Sequence, residues 1–198
     1  MRLTQHSFFR LACSTGVVAA ILCCGDAGAD PHTVRGALAA AAQAVEARDA
    51  HKLFRVIDQR ARFALASIVK SRGAAKRLIE ADYPENERAR ALAALGDAAQ
   101  VSSPDDLFAR RCDAACMAGI GAQLGAPTSE RPDGPDVVVQ TTRGGTLHMH
   151  AGKDGWYGLV WNTEALSAER NAAAREVEQI RENAAVYRQA RALSQSAK

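Results

Sequence analysis

Val137-Val138-Val139-Gln140-Thr141, Gly144-Gly145, Thr146-Leu147-His148-Met149-His150-Ala151, Lys153-Asp154-Gly155 and Trp156-Tyr157-Gly158-Leu159-Val160-Trp161 follow one another late in the chain. The β-branched and aromatic runs read as three short strands. The two glycine-bearing stretches between them read as tight turns. Together they predict a three-stranded antiparallel meander over about 137–161. The rest of the chain carries helical spacing, so the predicted class is α+β, with a helix-rich N-terminal two-thirds and one long C-terminal helix.

Before the meander, residues 125–136 (Gly-Ala-Pro-Thr-Ser-Glu-Arg-Pro-Asp-Gly-Pro-Asp) have no periodicity and predict an exposed loop. Further back, Val34, Leu38, Ala41 and Val45 predict a first helix over 33–48. Asp49 suits a helix cap. Leu53, Phe54, Ile57, Ala61, Ala64, Leu65 and Ile68 then trace one apolar stripe to about Lys70. Ser71-Arg72-Gly73 predicts a break, followed by a short helix through Ile79. Tyr83-Pro84 predicts another break, with Gly96 as a later stop. Ser103, Pro104, Asp105 and Asp106 form a helix start, and that helix carries Leu107, Phe108, Cys112 and Cys116 to about Gly119. After the meander, residues 164–193 carry a stripe of Leu166, Ala173, Val177, Ile180, Ala184 and Tyr187. Arg170 and Arg191 interrupt it at its ends. That stripe suits packing within the chain or a dimerising coiled coil.

The N-terminus has its own signature. Arg2 and Arg10 precede an apolar run from Leu11 to Cys24, and Ala27 and Ala29 make a small-x-small site. This pattern predicts a secretory signal peptide over 1–29, with cleavage after Ala29. An uncleaved anchor, or a lipoprotein modified at Cys23 or Cys24, are the alternatives. The remaining residues, 30–198, are predicted to form a single helix-rich α+β domain. Exported means periplasmic or extracellular here.

The 198 residues carry 25 basic and 22 acidic side chains, a formal net charge of +3. Losing Arg2, Arg10 and Asp26 with the signal lowers it by one. A balance this even excludes nucleic acid as the expected partner. No segment after the signal is apolar enough to span a bilayer. Cys13, Cys23 and Cys24 fall in the signal, leaving Cys112 and Cys116. At i, i+4 spacing on a helix their Cα atoms lie within disulfide range, and export favours the bond. Two free thiols, or a metal or redox role, are the other readings.

Few residues carry recognisable chemistry. His148 and His150 project from one face of a strand, a spacing that suits Zn²⁺ or Cu²⁺ if further ligands converge. An exposed polar strand face explains them as well. Asp58, after Ile57, and His148 are the candidate general bases. A solvated face near the middle of the second helix, with ordinary ion pairs, is the plainer account of Asp58. Trp156, Tyr157 and Trp161 offer a stacking platform or core packing. Ser67-Ile68-Val69-Lys70 matches a Ser-x-x-Lys string but has no companion motifs. Phosphate loop, zincin helix and dinucleotide fingerprint are missing from the sequence, and no cofactor is implied.

The stretch Ala42-Gln43-Ala44-Val45-Glu46-Ala47-Arg48-Asp49-Ala50-His51-Lys52-Leu53-Phe54-Arg55-Val56-Ile57-Asp58 resembles the opening of nuclear transport factor two–like domains. Thr142-Arg143-Gly144-Gly145 and Asp154-Gly155-Trp156-Tyr157-Gly158-Leu159-Val160-Trp161 resemble that family's closing hairpin. The resemblance implies helices packed on a curved sheet around a pocket. The middle of the chain departs from the family, reading as helices where strands are usual, and the C-terminal helix is extra. No member's catalytic set maps onto these residues. Tyr83-Pro84-Glu85-Asn86-Glu87-Arg88-Ala89-Arg90-Ala91-Leu92 resembles exported bacterial proteins.

The expected function is therefore a non-catalytic binding module for a small apolar ligand or an envelope protein. A pocket-type isomerase or cyclase is the alternative, as is an assembly role through the C-terminal helix.

Overall fold

The computed structural model describes residues 30–197. The signal-peptide reading of 1–29, with Cys13, Cys23 and Cys24, lies outside the described residues. Seven α-helices and a four-stranded sheet follow in order: α1 (Val34–Glu46), α2 (Ala50–Val56), α3 (Gln59–Asp82), α4 (Glu85–Ala94), α5 (Pro104–Arg111), α6 (Ala114–Gln123), β1 (Pro127–Asp133), β2 (Asp136–Thr141), β3 (Thr146–Ala151), β4 (Tyr157–Leu159) and α7 (Thr163–Ser196). The α+β class holds, with its long last helix. No helix among the described residues is long and apolar enough to cross a membrane.

The helix starts follow their caps. Thr33, Asp49, Ser103 and Asp113 each accept a backbone N–H of the first turn through their side chains. Pro104 sits in the first turn of α5, and Gly96 turns out of α4 at φ +71°. Two expected breaks differ. The stripe from Asp49 to Lys70 is two helices, because Ile57 and Asp58 are extended and Asp58 caps α3. Ser71-Arg72-Gly73 does not break α3, which runs on to Asp82. There Ala75 and Ile79 bury against Val177, Ile180 and Ala184 of α7, which outweighs the roughly 1 kcal/mol helix cost of one glycine. The predicted helix through Cys112 and Cys116 is also two, since Asp113 caps α6.

The sheet has four strands rather than three, ordered β1-β2-β3-β4 and antiparallel throughout. The extra one, β1, lies inside the stretch read as a loop. Asp133 pairs with Asp136 across a turn in which Gly134 takes φ +59°. Every residue of β1 after Pro127 is exposed. An edge strand wetted on both faces needs no alternation and tolerates proline, so its sequence looks like a loop. The third predicted strand shortens to Tyr157–Leu159.

Alternation in β2 and β3 sorts their side chains. Val139, Leu147, Met149 and Leu159 point into the main core with Leu53, Ile57, Leu65 and Phe108. The free edge of β4 is covered by the α2–α3 junction: Ile57 bridges Leu159, and the Asp58 N–H donates to the Leu159 carbonyl at 2.9 Å. Gly158 makes this possible, since a Cβ there would lie 2.5 Å from the Asp58 Cα.

Helix α7 packs along α3, and all of its expected stripe except half-buried Tyr187 is buried there. Its far half, with the end of α3 and with α4, encloses a second cluster of Ala75, Ile79, Tyr83, Leu95, Val177, Ile180 and Ala184. The predicted coiled-coil stripe is thus used inside the chain. Between the clusters, Arg111 of α5 grips Asp97 with two hydrogen bonds of 2.9 Å and Glu169 of α7 with two more.

Candidate functional site

The turn that splits α2 from α3 builds the site. Asp58 is 1% exposed. Its Oδ1 accepts the N–H groups of Arg60 and Ala61 at 2.8 and 3.1 Å and the Arg60 Nε at 3.2 Å. Its Oδ2 accepts the Thr163 hydroxyl at 2.8 Å. A buried carboxylate is tolerable only when paired this fully. Asp58 therefore clasps α3, β4 and the first turn of α7, and it points both oxygens at fixed donors rather than at a reactant.

Arg60 carries the network outward. Its Nη2 lies 3.0 Å from the Asp136 Oδ1 of β2. Burial works against the guanidinium charge, but its bonds to Asp136 and Asp58 more than offset this and hold its pKa above the usual range. Asp136 pairs directly across the sheet with His150, so the two side chains share a face. The His150 Nδ1 lies 2.8 Å from the Asp136 Oδ1 and 3.0 Å from the Pro135 carbonyl. Both partners only accept, so Nδ1 bears the proton and Nε2 is the nitrogen left over.

Arg60 and His150 border a cleft of about 740 Å³. Three walls meet there. Helix α3 supplies Gln59, Arg60 and Phe63, which share one face by helical spacing. The β3–β4 hairpin supplies His150 and Lys153. Helix α7 supplies Thr163, Ser167 and Arg170, at i, i+4 and i+7. Phe63 is 62% exposed, and the Arg170 guanidinium lies 5.9 Å from its ring centre.

The residues singled out from sequence fall in different places. His148 and His150 share a face of β3, as alternation requires, but His148 stands exposed opposite Val138 and only His150 reaches the cleft. Among the described residues the pair is not joined into a cluster of three or more ligands. The His and carboxylate group close enough to hold a cation is elsewhere among the described residues: His51 with Asp105 and Asp106, where Nδ1 of His51 is 3.1 Å from Asp105. The three aromatics separate too. Trp161 packs edge-on to Phe108 at 4.7 Å, Tyr157 lies against the main core, and Trp156 is half-exposed beside His32. They form no common platform, and none of the three lines the cleft. Cys112 and Cys116 are disulfide-bonded, with Cα atoms 5.0 Å apart, across the α5–α6 break.

Phe63, Asp136 and Arg170 were not sequence candidates. Phe63 had a legible signal, because it is a large apolar residue off the stripe of Ala61, Ala64, Leu65 and Ile68. Arg170 showed only as an interruption of the α7 stripe. Asp136 had none, since its role depends on a register across two strands.

No family model matches the chain, and neither a curated protein nor a solved structure is significantly similar to it.

Proposed function

We propose that this protein is an exported binding module that holds a small, largely apolar ligand in the cleft between α3, the β3–β4 hairpin and α7. The observation that carries this reading is the exposed Phe63 on the wall of a cleft of about 740 Å³. Ligand sites are typically concave, of a few hundred Å³, with an apolar wall and a few fixed polar groups. Here the polar groups are fixed, because Arg60, Asp136 and His150 hold one another and rest on buried Asp58. A prearranged wall lowers the ordering cost of binding.

The test is titration with N-phenylnaphthylamine, an uncharged aromatic probe that brightens in apolar surroundings. Saturable binding by the wild type, weakened about tenfold by Phe63→Ala, is expected for loss of one aromatic contact surface. Phe63 is exposed, so its truncation leaves the core intact. No saturable, Phe63-dependent signal with this probe or with its anionic analogue anilinonaphthalene sulfonate overturns the reading.

Export rests on the charged start, apolar run and small-x-small site over 1–29. The disulfide suits an oxidising compartment. Expression of the full chain in a secreting bacterial host should yield a processed N-terminus at Asp30, read by terminal sequencing. An intact N-terminus on the exported product argues for an anchor instead.

One observation favours a catalytic reading. The Asp136–His150 pair presents an imidazole at the cleft wall, an acid–base group with its tautomer set. If it acts so, cleavage of p-nitrophenyl acetate should fall about a hundredfold in His150→Ala. Equal rates remove this second reading.

A further inference from the structure

We propose that the ligand of this cleft is a small organic anion, with a flat apolar body on Phe63 and its anionic group on Arg170 and Lys153. The inference rests on the cleft being a ligand site and adds the charge of what it takes.

The titratable side chains that line the cleft are Arg60, His150, Lys153 and Arg170, and no carboxylate is among them. They differ in how they are neutralised. Arg60 is taken up by Asp58 and Asp136, and His150 by the same Asp136. Arg170 donates to the amide oxygen of Asn171 at 3.1 and 3.3 Å, and among the described residues neither it nor Lys153 has a carboxylate within ion-pair distance. The acids next to them in sequence are engaged elsewhere. Glu169 is held by Arg111, and Asp154 accepts the Trp156 N–H at 3.2 Å. Two cations without counter-charges among the described residues thus face the cleft, one from the hairpin and one from α7.

Arg170 has a second role in the same place. Its guanidinium lies over the Phe63 ring, so the apolar surface and the positive charge sit within one small ligand's reach. A planar guanidinium matches a carboxylate or similar oxyanion in a two-point contact, and Lys153 adds a point charge on a flexible stem. A neutral apolar ligand would leave both charges unpaired as it excludes water from them, which is unfavourable. A cation would be repelled. An aromatic or alicyclic acid satisfies both halves of the site.

The probes are anilinonaphthalene sulfonate and N-phenylnaphthylamine, which share an arylamine body and differ in the sulfonate. The wild type should bind the sulfonate about tenfold or more tightly than the neutral probe, the scale of one charge-assisted hydrogen bond. The double variant Lys153→Gln/Arg170→Gln should erase that margin by weakening the sulfonate about tenfold or more. Added salt should weaken only the sulfonate. Unchanged urea midpoints for the variant separate lost binding from lost folding.

Equal affinity for the two probes, or a sulfonate margin that survives the double variant, overturns the proposal while leaving the cleft as a neutral-ligand site. Absence of Phe63-dependent binding for both probes overturns the cleft reading, and the proposal with it.

Discussion

Helices α3 and α7 belong to two hydrophobic clusters at once, and the two are built differently. At the sheet end, Ile57, Leu65, Phe108, Val139 and Met149 are fully enclosed by residues from helices and strands alike. At the far end, Ile79, Tyr83, Val177 and Ile180 are enclosed by helices. The far cluster is rimmed by polar pairs: Asp82 with Arg188 and Arg191, and Glu87 with Tyr187. Arg72 pairs with Glu176 on the same two helices. The cleft belongs to the sheet end. A rigid multi-element core can hold polar groups at fixed positions, whereas a rim of surface ion pairs contributes little stability and less precision.

The largest expected effect breaks the sheet-end cluster outright. Phe108 touches both Phe54 and Trp161 and has no exposed surface. Phe108→Ala should cost about 3–5 kcal/mol, read by urea denaturation. Near-neutral behaviour would mean that this cluster is not the one holding the fold.

Ile79→Ala probes the far cluster. Its half-buried neighbours Leu78, Ala91 and Leu92 can close on the void, so about 2–3 kcal/mol is expected, in the lower part of the usual range. Amide exchange should quicken first in α4 and the last half of α7, while β2 and β3 stay protected. Uniform acceleration would show the two clusters to be a single cooperative body.

Two glycines sharpen the contrast. Gly158→Ala places a Cβ 2.5 Å from the Asp58 Cα and should cost about 1–3 kcal/mol, with large shifts of the Asp58 amide resonance. In Gly73→Ala the nearest atom is the tip of Arg77 at 3.7 Å, so mid-helix alanine should stabilise by about 0.5–1 kcal/mol. Thermal unfolding of both variants checks the opposite signs.

The smallest effect concerns the strap between the regions. Hydrogen bonds from Arg111 hold the Asp97 carboxyl below its ordinary pKa, against a desolvation cost. A depressed carboxylate stabilises the fold above its unfolded pKa of about 3.9 and loses that contribution as pH falls through the lower folded value. Asp97→Asn should therefore melt below wild type at neutral pH, and the gap should close in acid. A gap that persists at about pH 2 would assign the effect to packing rather than charge.

Much of this architecture was legible locally. Asp49, Ser103 and Gly96 mark their helix ends because capping acts within one turn. The α7 stripe, the β2–β3 alternation and the cysteine spacing are short-range patterns too. The misreadings share one cause. Residues 127–133 are exposed on both faces, so nothing in their order distinguishes strand from loop. Ile57-Asp58 continues an apolar stripe as well as it starts a new helix, and local energetics do not choose between these.

Sequence alone thus determined the α+β class, the Asp49 and Ser103 caps, the paired cysteines and the balanced charge, since each depends on residues a few positions apart. Tertiary structure decided the rest. The hydroxyl that completes the Asp58 clasp belongs to Thr163, 105 positions away. The backbone approach that breaks the helix exists because Gly158 has no side chain. His150 rather than His148 lines the cleft, beside the β3–β4 hairpin, and Asp136 holds it from across the sheet. Contacts of that range are set by packing, and no local pattern encodes them.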